Sequence, residues 1–204
     1  MGRLIYTGQA LKESAKSRDN FSVFLAGPTP RSATVKSWRP DMIKELRDAG
    51  FKGEIVIPEY KNEYERKKPK SFVYDKRISW EVHWLKKSNA ILFWVPRNMS
   101  TMPALTTNIE FGEFMHSEKV ILGYPENAEH VQYMTVRAKW LNIPVANTMG
   151  EVAAYIANKE KLWLYACQRC LGSGKKDSNG TAYRCGKCDG TGFIEPPKKR
   201  KKKK

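Results

Sequence analysis

The apolar run at residues 90–95, Ala-Ile-Leu-Phe-Trp-Val, constrains the fold of this chain more than any other stretch. It contains no polar residue and no alternation, which is typical of a β-strand covered on both faces. Such strands occur almost only in parallel sheets that carry helices on both sides. Pro96 ends the run, because proline cannot donate a hydrogen bond to a sheet ladder. The run therefore predicts a central strand in a layered α/β domain.

Further strands and helices alternate along the chain around this run. The helix predicted over residues 37–49 carries apolar side chains at Trp38, Met42 and Leu46, and Gly50 ends it. The other predicted strands are residues 21–26, 55–57, 120–123 and 144–147, and the other predicted helices are residues 78–87, 107–117, 128–140 and 149–158. This alternation predicts a mostly parallel sheet in an α/β fold.

The length of 204 residues suits one domain of about 100 to 200 residues with a small appendage. We place the domain at residues 21–160 and interpret residues 1–20 as a loosely attached leader. No apolar run approaches the roughly 20 residues of a membrane-spanning helix, and residues 1–20 lack the features of a signal peptide. These features predict a cytoplasmic protein.

Positive charge is concentrated near the end of the sequence. The net charge is +16, and every one of residues 198–204 is lysine or arginine. Because like charges repel, residues 196–204 are predicted to be a disordered tail that contacts polyanions without sequence specificity. A tail that only improves solubility is the alternative interpretation.

A single carboxylate, Glu110, lies in the segment Leu-Thr-Thr-Asn-Ile-Glu-Phe-Gly that follows the central strand. In an open α/β sheet, the loops after the strands form the ligand crevice, and a carboxylate there can act as a nucleophile. The alternative is a glutamate in the opening turn of a helix, capped by Thr106 or Thr107, that only complements the helix dipole. Asn108 offers an amide and Gly112 leaves room for a ligand, which favours the first interpretation.

Other candidate residues converge on the same crevice. The segment of residues 21–31 breaks at Gly-Pro and is followed by Arg31, while Glu81 lies in the helix that leads into the central strand. Two carboxylates in one crevice can divide nucleophilic and proton-handling roles, as in retaining glycosidases. If Arg31 and Arg39 both face the crevice, they favour an anionic substrate such as a nucleotide. Surface arginines on a basic protein are the alternative.

Five ordered motifs resemble those of nucleoside 2-deoxyribosyltransferases, over residues 21–156. They are Phe-Leu-Ala-Gly-Pro at 24–28, Ser-Trp-Arg at 37–39, Ile-Ser-Trp-Glu at 78–81, Ile-Leu-Phe-Trp-Val-Pro-Arg-Asn at 91–98 and Thr-Thr-Asn-Ile-Glu-Phe-Gly at 106–112. The resemblance implies a flavodoxin-like core that transfers a deoxyribosyl group between bases by double displacement, without a catalytic cofactor. It implies that Glu110 is the nucleophile, that Glu81 contacts the base and handles its proton, and that Gly27 and Pro28 shape the sugar pocket.

Two departures from that family leave the acceptor open. Phe24 stands where many relatives have tyrosine, and residues 104–107, Ala-Leu-Thr-Thr, lack the acidic residue often seen before the nucleophile. Transfer to a base and hydrolysis by water both remain open, on a nucleoside or on a nucleotide. Pockets of this family are often completed by a neighbouring subunit, so the resemblance also raises a homo-oligomer.

The four cysteines form two Cys-x-x-Cys pairs, at Cys167 and Cys170 and at Cys185 and Cys188. Four thiolates at this spacing predict a structural tetrahedral Zn²⁺ site, with disulfides as the alternative. The repeated Cys-x-x-Cys-x-Gly-x-Gly resembles the zinc module of DnaJ-type co-chaperones, here placed at residues 163–195. Binding of nucleic acid, binding of polypeptide and a purely structural zinc staple are three interpretations of this module.

Three function classes follow from the sequence. The first is a glycosyl-transferring or hydrolysing enzyme that acts on free deoxynucleosides or deoxynucleotides. The second is a base-exchanging or base-excising enzyme on nucleic acid, which the zinc module and the tail would bind. The third is a noncatalytic protein that senses nucleotides.

Overall fold

The computed structural model describes residues 1–9, 21–32, 34–61, 70–166, 175–178 and 181–187. The chain divides into two compact units, Met1–Ala157 and Asn158–Lys204. Cys167, Cys170 and Cys188 and the basic tail at residues 196–204 lie outside the described residues, as does most of the predicted leader. None of the described helices is long and apolar enough to cross a membrane.

The first unit contains a parallel sheet of six strands with helices between them. The strands are β1 (Leu4–Tyr6), β2 (Ser22–Ala26), β3 (Glu54–Ile57), β4 (Ala90–Trp94), β5 (Val120–Gly123) and β6 (Val145–Ala146), and the helices are α1 (Arg39–Asp48), α2 (Lys70–Lys87), α3 (Leu105–Phe114), α4 (Gln132–Trp140) and the first part of α5 (Met149–Tyr165). The residues of α5 from Asn158 onward belong to the second unit. The prediction of a layered α/β fold is confirmed. The strand order is β1-β3-β2-β4-β5-β6, which without β1 is the 2-1-3-4-5 order of flavodoxin-like folds.

The central strands are buried as their composition predicts. Every residue of β2, β3, β4 and β5 is buried, and β4 pairs with both β2 and β5. Aromatic side chains from α2 and α3 cover one face, where the rings of Phe93 and Phe111 meet edge to face at 5.4 Å between centroids. Trp80 and Trp84 are buried in the same core.

The sequence did not reveal the first strand. β1 pairs in parallel with β3, with Leu4 opposite Ile55 and Tyr6 opposite Ile57, and Arg3 forms an ion pair with the buried carboxylate of Glu54 at 3.0 Å. A strand of three residues is too short to show a period of two, so the sequence pattern does not distinguish it from a loose leader. The start of that predicted leader is instead an edge strand.

Helix boundaries also differ from the predictions. Helix α2 begins at Lys70 rather than at residue 78, and α5 continues to Tyr165. Helix α3 begins at Leu105 after Ala104, which adopts the left-handed conformation, and its N-terminus has no side-chain cap. The expectation that Thr106 or Thr107 caps this helix is therefore wrong.

The second unit contains an antiparallel hairpin. Strand β7 (Lys175–Ser178) pairs with β8 (Thr181–Arg184), with Lys175 opposite Arg184. Cys185 follows β8 directly and is buried.

The turn after β2 requires glycine. Gly27 has φ +146°, and a Cβ at this position would lie 2.1 Å from the carbonyl oxygen of Trp94. The close approach exists because Ala26 pairs with Phe93 at the ends of two neighbouring strands. A side chain at position 27 would therefore push the two strand exits apart.

We expect Gly27→Ala to lower the free energy of unfolding by about 2 to 5 kcal/mol, since it adds a steric overlap to a strained φ. Gly112→Ala is the matched control, because a Cβ at that exposed position of α3 would meet nothing within 4 Å. The control should raise stability by up to about 1 kcal/mol through helix propensity. Denaturant unfolding measures both, and equal stability of the two variants would contradict the close approach.

Candidate active site

A pocket of about 510 Å³ opens where β2 and β4 end. It is the position expected of a ligand site in an open α/β sheet, since the strand order reverses between these two strands. The loop after β2, one face of α2 and the first turns of α3 form its walls. Six of the residues predicted from the sequence meet there: Gly27, Pro28, Arg31, Arg39, Glu81 and Glu110.

Glu110 faces this pocket from the second turn of α3. Thr106, four residues before it, and Glu113, three residues after it, share its helix face, and both line the pocket. The first turn of α3 contains no acidic residue. The dipole interpretation required Glu110 in the opening turn, so the helix start at Leu105 removes that interpretation.

The environment of Glu110 raises the pKa of its carboxyl from the ordinary 4.5 to about 7. Burial is the main cause, because it removes water from the charged form, and the neighbouring charge of Glu81 acts in the same direction. Arg39 and Arg77 lower the pKa, though by less. At neutral pH the side chain is therefore present in both its neutral and its ionised form.

Glu81 reaches the pocket from α2, paired with an arginine one turn earlier. Nε of Arg77 donates a hydrogen bond of 2.8 Å to Oε1 of Glu81, and Nη2 of Arg77 donates to the carbonyl of Pro58 at 3.4 Å. The other oxygen of Glu81, Oε2, makes no hydrogen bond within the parts of the chain that the structure describes. One oxygen is thus held by Arg77, and the Glu81 side chain lines a pocket large enough for a nucleoside.

Residues 20–128, just over half of the chain, match the family described as nucleoside 2-deoxyribosyltransferase like. The chain belongs to this family. A search of curated proteins finds no match. The matched residues include Gly27, Glu81 and Glu110, whereas all four cysteines lie outside the match. The residues that match the nucleoside 2-deoxyribosyltransferase-like family thus include the pocket and exclude the C-terminal unit.

Arg39 lines the pocket, but its guanidinium is bound to the protein. Its guanidinium is buried and donates to the carbonyls of Leu25, Gly27 and Pro28, at 3.2, 2.8 and 3.4 Å, and to the carboxylate of Glu59 at 2.7 Å. It also lies 4.6 Å from the centroid of the Trp38 ring. The prediction of a substrate-binding Arg39 therefore needs correction: this side chain holds the loop that forms the pocket wall.

Arg31 has a different environment on the same loop. Its side chain is exposed and lines the pocket, while its backbone N–H donates to the carbonyl of Thr101 at 3.2 Å. No hydrogen bond or ion pair of its guanidinium is found among the described residues. Of the two arginines predicted to bind an anion, Arg31 is the one with donors available.

Asn108 and Gly112 lie on the other side of α3, outside the pocket lining. Oδ1 of Asn108 accepts a hydrogen bond from Nη2 of Arg97, a buried arginine that also donates to the carbonyl of His130. Asn108 therefore connects α3 to the loop after β4. The prediction that Asn108 contacts the substrate needs correction, because its side-chain oxygen is bound to Arg97. Gly112 is exposed on the same side.

Among the pocket residues that the sequence analysis did not propose are Arg77, Glu113 and Pro58. Arg77 stands four residues before Glu81, and Glu113 stands three residues after Glu110, so both share a helix face with a candidate carboxylate. That spacing is a signal the sequence contains. Pro58 carried no comparable signal, because its carbonyl reaches Arg77 only through the fold. No group of three or more potential metal ligands occurs among the residues described.

Glu110→Gln should stabilise the protein more at pH 8 than at pH 4. The raised pKa means that protonation of Glu110 stabilises the fold fully below pH 4.5, and that this contribution is lost as pH rises through about 7. The shift in pKa corresponds to about 3 kcal/mol of folding stability, lost when the carboxyl ionises. A glutamine side chain does not ionise, so the variant keeps this stability at pH 8. Denaturant unfolding at the two pH values measures the difference.

Glu151→Gln is the control of opposite sign. Hydrogen bonds from Thr148 and Asn147 lower the pKa of the Glu151 carboxyl, so its contribution is present at high pH and lost as pH falls. This variant should be less stable than the wild type, and more so at pH 8 than at pH 4. A pH-independent effect of Glu110→Gln would contradict the burial of the Glu110 carboxylate.

Proposed function

We propose that the protein cleaves the N-glycosidic bond of a deoxynucleoside or deoxynucleotide and transfers the deoxyribosyl group to another base or to water. The observation that carries the proposal is the position of Glu110, whose carboxyl lines a pocket at the carboxyl ends of the central strands. Membership in the nucleoside 2-deoxyribosyltransferase-like family supports it.

The reaction proceeds in two displacements. The ionised carboxylate of Glu110 attacks the anomeric carbon, forming an ester bond as the C–N bond breaks, and the departing base keeps the electron pair and gains a proton. An incoming base or water then attacks the same carbon, the ester bond breaks, the carboxylate is regenerated and the acceptor loses a proton. Retention of configuration follows from the two inversions.

Glu81 is the residue we assign to the base. Its oxygen Oε2 is not engaged among the described residues and faces the same pocket as Glu110. A carboxyl group there can hydrogen-bond a ring or exocyclic nitrogen and assist its gain or loss of a proton. Gly27 and Pro28 form the wall beside the sugar, and the absence of a side chain at Gly27 lets this wall pack closely against the end of β4.

The position of Arg31 supports a substrate that carries a phosphate. Its exposed guanidinium stands at the pocket with its donors available, and guanidinium groups bind phosphate oxygens in a bidentate arrangement. The phosphate of a deoxynucleotide would bind to Arg31, whereas with a deoxynucleoside the Arg31 guanidinium would remain hydrated.

Incubation of the protein with deoxynucleosides or deoxynucleotides and a foreign free base, followed by chromatography, tests the proposal. We expect a new nucleoside or free base to form, at a rate that rises with pH as Glu110 ionises around pH 7. Glu110→Ala should lower the rate at least about a thousandfold, because it removes the nucleophile. Glu118→Gln, on an exposed turn after α3, should leave the rate unchanged. Absence of product with every donor would contradict the proposal.

For the second unit, we propose a structural Zn²⁺ held by Cys167, Cys170, Cys185 and Cys188. The pairing of Lys175 with Arg184 forms the open end of the hairpin, and in the sequence Cys170 stands five residues before Lys175 while Cys185 directly follows Arg184. Cys185, the described member of the set, is buried at that end. Four thiolates suit tetrahedral Zn²⁺, which supplies folding free energy to segments with little apolar surface.

One zinc ion per chain is the expected result of elemental analysis on protein purified without chelator. Cys185→Ser and Cys188→Ser should each lose most of the zinc, since the tetrahedral set is then incomplete. Asp177→Asn, a carboxylate change in the same hairpin, should keep it. A zinc-free protein with no titratable thiols would instead indicate disulfides and overturn the assignment.

A further inference from the structure

We infer that Arg77 is a positioning residue of the proposed reaction, which holds Glu81 toward the substrate and balances the charge of the pocket carboxylates. The inference rests on the proposed function and assigns a role to a side chain that the motifs of the sequence do not include. Three contacts of Arg77 support it, one with Glu81 and two with the segment after β3.

The first contact fixes Glu81. The hydrogen bond of 2.8 Å from Nε of Arg77 occupies Oε1 of Glu81, and only 13% of the Glu81 side chain is exposed. A partly buried carboxylate with one oxygen tied in this way has few rotamers left, so Oε2 points to one place. A base that hydrogen-bonds to Oε2 is thereby given one orientation.

The second and third contacts fix Arg77 itself. Its Nη2 donates to the carbonyl of Pro58 at 3.4 Å, and its guanidinium carbon lies 5.9 Å from the centroid of the Tyr60 ring. Both partners belong to the segment after β3. The guanidinium is therefore held between that segment and α2, and a lysine cannot reproduce the arrangement because its ammonium is a single point of charge.

The charge balance around Glu110 gives Arg77 its second role. The charged groups that line the pocket are the carboxylates of Glu81, Glu110 and Glu113 and the guanidiniums of Arg31, Arg39 and Arg77. Arg39 is committed to the loop after β2, and Arg31 is exposed. Among these three guanidiniums, that of Arg77 is hydrogen-bonded to a pocket carboxylate, and together with Arg39 its charge lowers the pKa of Glu110.

The experiment compares Arg77→Met, Arg77→Lys and Lys86→Met with the wild type. Methionine keeps an apolar stem and removes the charge. Lysine keeps the charge but lacks the planar set of donors of a guanidinium. Lys86→Met is the control, because it removes one exposed positive charge from the same helix outside the pocket. Carbon-13 NMR of glutamate-labelled protein, with Glu110 assigned through Glu110→Gln, gives the titration of the carboxyl groups without any substrate. The rate of base exchange as a function of pH gives the second readout.

We expect Arg77→Met to raise the pKa of Glu110, to move the acid limb of the pH–rate profile to higher pH, and to lower kcat/KM about 10- to 100-fold at neutral pH. Arg77→Lys should restore the position of the acid limb and recover only part of kcat/KM. Lys86→Met should match the wild type in both readouts.

The two readouts separate the inference from the proposed function. A Glu110 titration that is the same in Arg77→Met and Lys86→Met overturns the inference, whether or not the wild type exchanges bases. A shifted titration in a protein that neither exchanges nor releases a base overturns the proposed function and leaves Arg77 as a residue that sets the pKa of Glu110.

Discussion

The buried guanidinium of Arg39 is the interaction on which the pocket depends. A charged side chain that is 1% exposed is stable only when its donors are satisfied and its charge is paired. Arg39 meets that condition by binding three carbonyl groups around the end of β2 and the carboxylate of Glu59. The loop that carries Gly27 and Pro28 therefore has one conformation, and this loop is a wall of the site.

Against that fixed wall, α3 presents a carboxylate in a partly desolvated position. Burial and the charge of Glu81 disfavour ionisation of Glu110, and the two guanidiniums of Arg39 and Arg77 oppose them. The resulting pKa of about 7 leaves an ionised fraction at neutral pH, and that fraction is poorly solvated. A poorly solvated carboxylate is a better nucleophile, but its ionisation lowers the stability of the fold. Active sites commonly gain activity at the cost of stability in this way.

The sequence predicted the sheet well, because β2 to β5 are continuous apolar or β-branched runs that only a doubly covered strand explains. It did not predict β1, whose three residues have no readable period and which pairs only at the edge of the sheet. Its motifs selected Glu110 and Glu81, which both line the pocket. It assigned Arg39 and Asn108 to the substrate, because residue type reveals a hydrogen-bonding group but not its partner, and the partners lie in other elements and loops that only the fold brings close. Arg77 could have been found from its spacing of four residues before Glu81.

A covalent bond between the substrate sugar and Glu110 is the most direct consequence of this account. Rapid acid quenching of the protein during turnover of a deoxynucleoside or deoxynucleotide, followed by proteolysis and mass spectrometry, would detect it. The account predicts a deoxypentosyl ester on the peptide that contains Glu110, absent in Glu110→Gln. Turnover without any such ester, or an ester on another carboxylate such as Glu81 or Glu113, would contradict it.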